Sequence, residues 1–153
     1  MVIRRAEDAD IGALMGMYRR LYAHLKACGL CYEPDFEQIE NALSAQIRAR
    51  LFCVLVAEGG GGLAGFISAA VSRVERRFKG GLVGVINDLY IEPSARGTGA
   101  ASALADAAET WMRESGAESA RCDIVAGNAG GFAFWHGRGY ADASVAARKS
   151  LAE

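Results

Sequence analysis

Apolar residues recur along this chain at two different periods, and the change of period divides it. Val2 to Arg5 reads as a short strand. Ile11, Leu14, Tyr18, Leu21 and Leu25 then follow at alternating three- and four-residue steps, the stripe of an amphipathic helix, with Asp8 or Asp10 placed to cap it. Gly29 to Pro34 breaks that pattern, and Phe36, Ile39, Leu43 and Ile47 mark one face of a second helix, Phe36 to Ala49. From Phe52 the period shortens. Phe52 to Glu58 and Leu63 to Arg73 read as strands joined by the turn Gly59 to Gly62, too short for a parallel crossover and therefore antiparallel. Val74 to Gly81 is a charged loop and Val83 to Ile91 a further apolar strand. A helix follows Gly97-Thr98-Gly99 and runs to about Ser115, burying Leu104, Ala108 and Trp111, with Gly116 as its left-handed stop. Arg121 to Val125 is predicted as a strand, Asn128 to Arg138 as a short helix ended by Gly139, and a last strand within Ser144 to Leu151.

The predicted order is therefore β-α-α-β-β-β-α-β-α-β. It describes a single α/β domain over residues 1–153, with a mixed, mostly antiparallel central sheet flanked by helices and one right-handed crossover. A length of 153 residues allows one sizeable core, and 52% hydrophobic with 23% charged residues excludes disorder and coiled coil. The longest wholly apolar run, Leu51 to Ala57, is too short to span a membrane. Arg4, Arg5, Glu7, Asp8 and Asp10 leave no room for a signal peptide, so a cytoplasmic site of action is expected. The net charge of -1 provides no global attraction to nucleic acid or to an anionic membrane.

Candidate chemistry concentrates in Ile91-Glu-Pro93-Ser-Ala-Arg96-Gly97-Thr98-Gly99-Ala100-Ala101-Ser102, which joins a strand to a helix through small residues. Glycines let backbone N–H groups turn inward, and the helix start adds its positive dipole end, together an anion site suited to a pyrophosphate. Arg96 at the rim adds charge-assisted bonds. Gly97-x-Gly99-x-x-Ser102 approximates a dinucleotide-binding fingerprint, with Glu118 at ribose distance, but the third glycine is absent and the loop follows an antiparallel hairpin instead of opening a βαβ unit.

The stretch Ile91-x-Pro93-x-x-Arg96-Gly-x-Gly99-x-Ala101 resembles the acyl-CoA loop of the GNAT superfamily of N-acetyltransferases. Asn128, Phe134-Trp135 and Gly139-Tyr140 resemble that family's N-x6-Y-x3-G-F signature at the same spacing. With the strand order, the resemblance spans nearly the whole chain. It implies acetyl-CoA as co-substrate, no metal, and transfer to a primary amine of a small molecule or peptide. The pantetheine arm would lie between the strand ending at Ile91 and the one ending near Val125, held by backbone around Leu89, Tyr90 and Ile91. Arg96 and the amides of Gly97, Thr98, Gly99, Ala100, Ala101 and Ser102 would bind the pyrophosphate. Asn128 would contact the far side of the arm, and an N–H near Leu89 would polarise the acetyl carbonyl. A homodimer is implied as well.

Two positions depart from the family pattern. Its usual basic Glu is Asn87 in Asn87-Asp88-Leu89-Tyr90-Ile91, and an amide accepts no proton from an amine. Asp88 is a carboxylate one residue on, and in a regular strand it faces away from Asn87, so it serves the site only where the strand bulges. Its alternative is a structural acceptor. The family's acidic Tyr is replaced by Trp135, whose indole fits packing over the thioester better than chemistry. His136 beside it reads as solvated, and Tyr90 as a packed aromatic.

Acceptor choice is expected to fall to Tyr22 and Tyr32, with Tyr18, His24 and Phe36 near them, and to the loop carrying Arg73, Arg76, Arg77 and Lys79. Loss of both usual acid–base groups leaves open a non-catalytic acyl-CoA sensor or interaction domain. Covalent catalysis by Cys122 lacks a histidine placed beside it. Cys28-Gly-Leu-Cys31 has redox or zinc spacing, but Cys53 and Cys122 stand apart and the pair follows a helix, so reduced thiols are expected.

Overall fold

A computed structural model describes residues 1–152. Among them the strands are β1 (Val2–Arg5), β2 (Phe52–Gly59), β3 (Gly62–Arg73), β4 (Leu82–Ile91) and β5 (Ala117–Cys122). The helices are α1 (Ile11–Ala27), α2 (Phe36–Arg48), α3 (Ala100–Glu114) and α4 (Ala129–Gly137). The strands form one sheet in sequence order, antiparallel except for the parallel β4–β5 pair. The α3 crossover between those two strands accounts for the change of direction.

Alternation along β2 and β3 divides the interior into two cores. Leu55, Ala57, Ile67, Ala69 and Val71 face α3, meeting Leu104, Ala105, Ala108 and Met112. Val54, Val56 and Phe66 face the other way, onto Leu14, Met17, Tyr18 and Leu21 of α1 and Leu43 of α2. The helical stripes read from spacing are those that pack here. Gly84 lets α3 approach β4: a Cβ on it would stand 2.3 Å from the Met112 sulfur.

Four local expectations change. Neither Asp8 nor Asp10 caps α1. The Asp10 carboxylate instead accepts from Arg4 at 2.8 and 3.0 Å and from the Glu7 N–H at 2.8 Å, and this pairing holds its pKa below the usual range. On α3, Met112 takes the fully buried place expected of Trp111, which is half-buried beside a groove between α3 and the β1–β2 edge. Strand β5 begins at Ala117, directly after Gly116 (φ 91°), and not at Arg121. It ends at Cys122 because β4 leaves the ladder there, so Ile124 and Val125 lie past the pairing. The last predicted strand does not form. Residues 141–152 carry no regular structure, and Val145 and Leu151 are exposed, so the alternation there has no paired edge to pack upon.

Candidate functional site

The site is built where β4 breaks step with β3. Ala69 pairs with Ile86 and Ser68 with Asp88, leaving Asn87 as one extra residue on β4. A regular strand would put Ile86 and Asp88 on the same face; this bulge puts them on opposite faces. Ile86 lies in the α3 core, whereas Asp88 turns toward α1 and Asn87 is exposed. The parallel pairing of β4 with β5 ends one residue before the bulge, at Ile86–Cys122. Beyond that point Leu89 to Ile91 have no strand on their β5 side.

Two hydroxyls hold the Asp88 carboxylate. Tyr18 on α1 donates to Oδ2 at 3.0 Å, and Ser68 on β3 donates to the same oxygen at 2.8 Å. Burial raises the Asp88 pKa, and the two donated bonds oppose that rise without cancelling it. Burial, and then the nearby Asp88 charge, raise the pKa of Tyr18 well above the ordinary phenol range. Tyr22 one turn on is raised for the same two reasons. Ser68 was missed from the sequence, although its lone hydroxyl inside the apolar run Phe66 to Val71 was a usable signal. Tyr90 shares the face of Asp88, is buried beneath α1, and donates to Glu92 at 3.2 Å; Arg20 ties the same Glu92 to α1.

After β4 the chain makes a single 3-10 turn, Pro93–Ala95, and enters α3 through Gly97 (φ 76°) and Gly99 (φ 86°). Both occupy the left-handed region that favours glycine, and a Cβ on either would meet nothing within 4 Å, so the loop is open to a ligand. Gly99 precedes the helix and supplies no side-chain cap. The first-turn N–H groups of Ala100, Ala101 and Ser102 consequently have no partner within the helix and form the positive end of its dipole. Thr98 is held by its hydroxyl donating to the Ala95 carbonyl at 2.6 Å. Arg96 is exposed, its Nε donating to the Ile91 carbonyl at 3.2 Å, which sets the guanidinium at the rim between strand and loop.

The far wall is α4. Asn128 caps it, its Oδ1 accepting from the Gly131 N–H at 3.0 Å. Trp135 is buried against Phe134 and Tyr140, with ring centroids 4.9 and 5.0 Å away. Tyr140 donates to Glu109 at 3.1 Å and Arg138 pairs with Glu109 and Asp106, which locks the end of α4 onto α3. Burial, followed by the Glu109 charge, raises the Tyr140 pKa.

Of the acceptor candidates, Tyr22 and Tyr32 line one cleft of about 380 Å³ with Leu30, Pro34, Gln38 and Ile39. Tyr22 meets Phe36 edge-on and stacks toward Tyr18, the residue that donates to Asp88; neither Tyr18 nor Asp88 lines the cleft itself. Tyr32 is exposed, with the Arg148 guanidinium 5.4 Å from its ring centre. His24 and the loop with Arg76 and Arg77 are exposed. Cys122 has a pKa pushed up to about 11 by burial. Among the described residues no group of three or more His, Cys, Asp or Glu could hold a metal ion, and no helix is long and apolar enough to cross a membrane.

Residues 18–140 match the family model described as acetyltransferase (GNAT) family. In structure the chain is similar to a mutant of the BH1408 protein of Bacillus halodurans, at TM-score 0.86 and 17% identity over 99% of this chain and 100% of that one. It is similar also to an aminoglycoside 6'-N-acetyltransferase of Acinetobacter haemolyticus, at TM-score 0.80 and 16% identity over 100% and 99%. A predicted acetyltransferase of Clostridium acetobutylicum solved with acetyl-CoA gives TM-score 0.78 and 20% identity over 98% and 96%. A sequence search of curated proteins finds no match.

Proposed function

Because the chain belongs to the acetyltransferase (GNAT) family, we propose that it moves an acetyl group from acetyl-CoA to a primary amine of a small molecule or peptide by direct attack. The observation that carries this reading is the β4 bulge, which leaves Leu89 to Ile91 without a strand on their β5 side and turns a half-buried carboxylate toward α1. Acetyl-CoA, when bound, supplies the activated acyl group. Gly97 through Ser102 offer their amides, and Arg96 its charge, to the pyrophosphate. The free backbone edge of Leu89 to Ile91 pairs with the pantetheine arm, and Asn128, with its Oδ1 used in capping, has its amide NH2 left to donate toward it. The Leu89 N–H polarises the acetyl carbonyl. Trp135 is a wall beside the thioester.

An alkylammonium cannot attack until it loses a proton, and we assign its acceptance to Asp88, while Asn87 orients the amine or a water. Tyr18 and Ser68 fix the carboxylate, and the cleft of Tyr22 and Tyr32 receives the acceptor. On this reading the enzyme is a cytoplasmic homodimer that needs no metal, nucleic acid or membrane. The fold likeness to aminoglycoside N-acetyltransferases puts aminoglycosides into the first acceptor panel, beside small amines, amino acids and peptides. Two measurements test it: the unfolding midpoint with acetyl-CoA, and acetyl turnover across that panel. A midpoint that rises with acetyl-CoA and ignores chelator supports the cofactor site, by ligand linkage. No shift at millimolar acetyl-CoA overturns it. Binding with no turnover on any amine replaces the enzyme by an acyl-CoA sensor.

A further inference from the structure

The pair Cys28 and Cys31 stands outside the machinery proposed for acetyl transfer, at the C-terminal end of α1. Helix α1 ends at Ala27, and Gly29 (φ 105°) reverses the chain with two closing bonds, its own N–H to the Lys26 carbonyl at 3.0 Å and the Leu30 N–H to the Leu25 carbonyl at 2.9 Å. One cysteine precedes that reversal and the other follows it. His24, one turn back on α1, places Nε2 3.6 Å from the Cys28 sulfur. The Cys28 carbonyl abuts Gly127, where a Cβ would stand 2.1 Å from the oxygen. Leu30, between the cysteines, and Tyr32, just after them, line the acceptor cleft. Cys31 is exposed and Cys28 half-buried, whereas Cys53 is fully buried; burial raises the pKa of Cys53 and that of Cys122.

We propose that Cys28 and Cys31 are a dithiol that a hydroperoxide oxidises to a disulfide, and that the disulfide reshapes the acceptor cleft. The first half stands on the spacing of the two cysteines across the Gly29 reversal and on the His24–Cys28 contact; the second rests on the acceptor reading given above. In the first step the Cys28 thiol passes its proton to His24 Nε2, 3.6 Å from its sulfur. The thiolate attacks the near peroxide oxygen: an S–O bond forms, the O–O bond breaks, and the departing oxygen takes the proton as water. Next the Cys31 sulfur attacks the Cys28 sulfenic acid. An S–S bond forms, the S–O bond breaks, and a second water leaves with the Cys31 proton. Two thiols and one hydrogen peroxide thus give one disulfide and two waters, with sulfur oxidised and peroxide reduced. A disulfide holds its two Cα atoms within about 4.4–6.8 Å, so the bond pins Cys31 to the end of α1 and re-sites Leu30 and Tyr32.

The test treats the full chain with hydrogen peroxide, maps thiols by alkylation and non-reducing peptide mass spectrometry, and follows Tyr22 and Tyr32 by NMR. A Cys28–Cys31 peptide, with Cys53 and Cys122 still alkylatable, supports the dithiol. In Cys31→Ser, at an exposed position, a sulfenic acid trapped at Cys28 by dimedone supports it too, as does His24→Gln slowing oxidation at least tenfold. Oxidation of Cys53 or Cys122 first, or sulfinic acid at Cys28 without a disulfide in the unmodified sequence, overturns it. Movement of the Tyr22 and Tyr32 resonances, reversed by dithiothreitol, supports the cleft half, and unmoved resonances overturn it. With an accepted amine from the panel, its KM should rise at least tenfold on oxidation while acetyl-CoA affinity holds. Because mapping and NMR need no turnover, they decide the proposal even where the acetyltransferase reading fails.

Discussion

Replacing Asp88 by Asn separates the proton-accepting role proposed for this carboxylate from its structural one. Asn keeps an oxygen where Tyr18 and Ser68 donate, at 3.0 and 2.8 Å. Each donated bond weakens from the charge-assisted range of about 1.5–3 kcal/mol to the neutral range of about 0.5–1.5 kcal/mol. Removing a half-buried, desolvated charge acts in the opposite direction and is of similar size. The net change in stability at neutral pH should therefore stay within about 2 kcal/mol, measured by urea unfolding. Activity has no such compensation, and loss of a general base should lower kcat/KM by about 10²–10⁴-fold. The pH dependence gives a second reading. Burial raises the folded pKa of Asp88 above the unfolded value of about 3.9, so the fold holds this proton more tightly. Its stabilising contribution is complete below the unfolded pKa and is lost as pH rises through the folded one. Activity runs the other way, because only the ionised form accepts a proton. The wild type should show an acid limb in kcat/KM above the ordinary carboxylate range, and Asp88→Asn should lack it. A folded Asp88→Asn protein keeping more than a tenth of kcat/KM, acid limb intact, would refute the assignment.

Gly99→Val forces a branched residue into φ 86°, which should cost about 1–2 kcal/mol of stability and weaken acetyl-CoA binding at least tenfold, both readable by calorimetry. Unchanged affinity in the folded variant would move the pyrophosphate elsewhere. Trp135→Tyr should change kcat by no more than about tenfold, because the indole, proposed as a wall, lends no proton; a thousandfold loss with intact acetyl-CoA affinity would make it part of the mechanism. Gly84→Ala drives a methyl against Met112 and should lower stability by about 1–3 kcal/mol by chemical unfolding, leaving Asp88 untouched.

Elements that bury a stripe were legible in the sequence, because burial imposes a period. Leu14, Tyr18 and Leu21 on α1, and Leu104 with Ala108 on α3, pack as their spacing required. Glycine punctuation was equally readable: Gly97, Gly99 and Gly116 all adopt positive φ. What escaped depends on partners remote in the chain. The start of β5 is set by where Leu82 and Val83 lie, and the fate of residues 144–151 by whether an edge receives them. No local pattern records either. The site followed the same division. Its glycine loop was readable as a positive-φ turn ahead of α3, whereas the holding of Asp88 needs Tyr18 seventy residues away and Ser68 twenty away. The bulge that makes this possible leaves no mark in composition, since Asn87 and Asp88 are two polar residues in either register.

That surplus residue in β4 has a consequence for how the protein could change. Side-chain identity at position 87 is free of packing constraint, since Asn87 is exposed, but the presence of a residue there is not free. With Asn87 deleted, Ile86 would still sit opposite Ala69 and Asp88 opposite Ser68, because those partners are already adjacent across the ladder. Both cores would survive, and so would the direction of every side chain in them. Only the slot would vanish, for a straightened β4 could carry its pairing with β5 past Ile86 and seal the edge that Leu89 now presents. On the proposed reading, a single in-frame codon loss would therefore close the slot while leaving both cores in place, an easy route from an acyl-CoA-binding protein to an inert one.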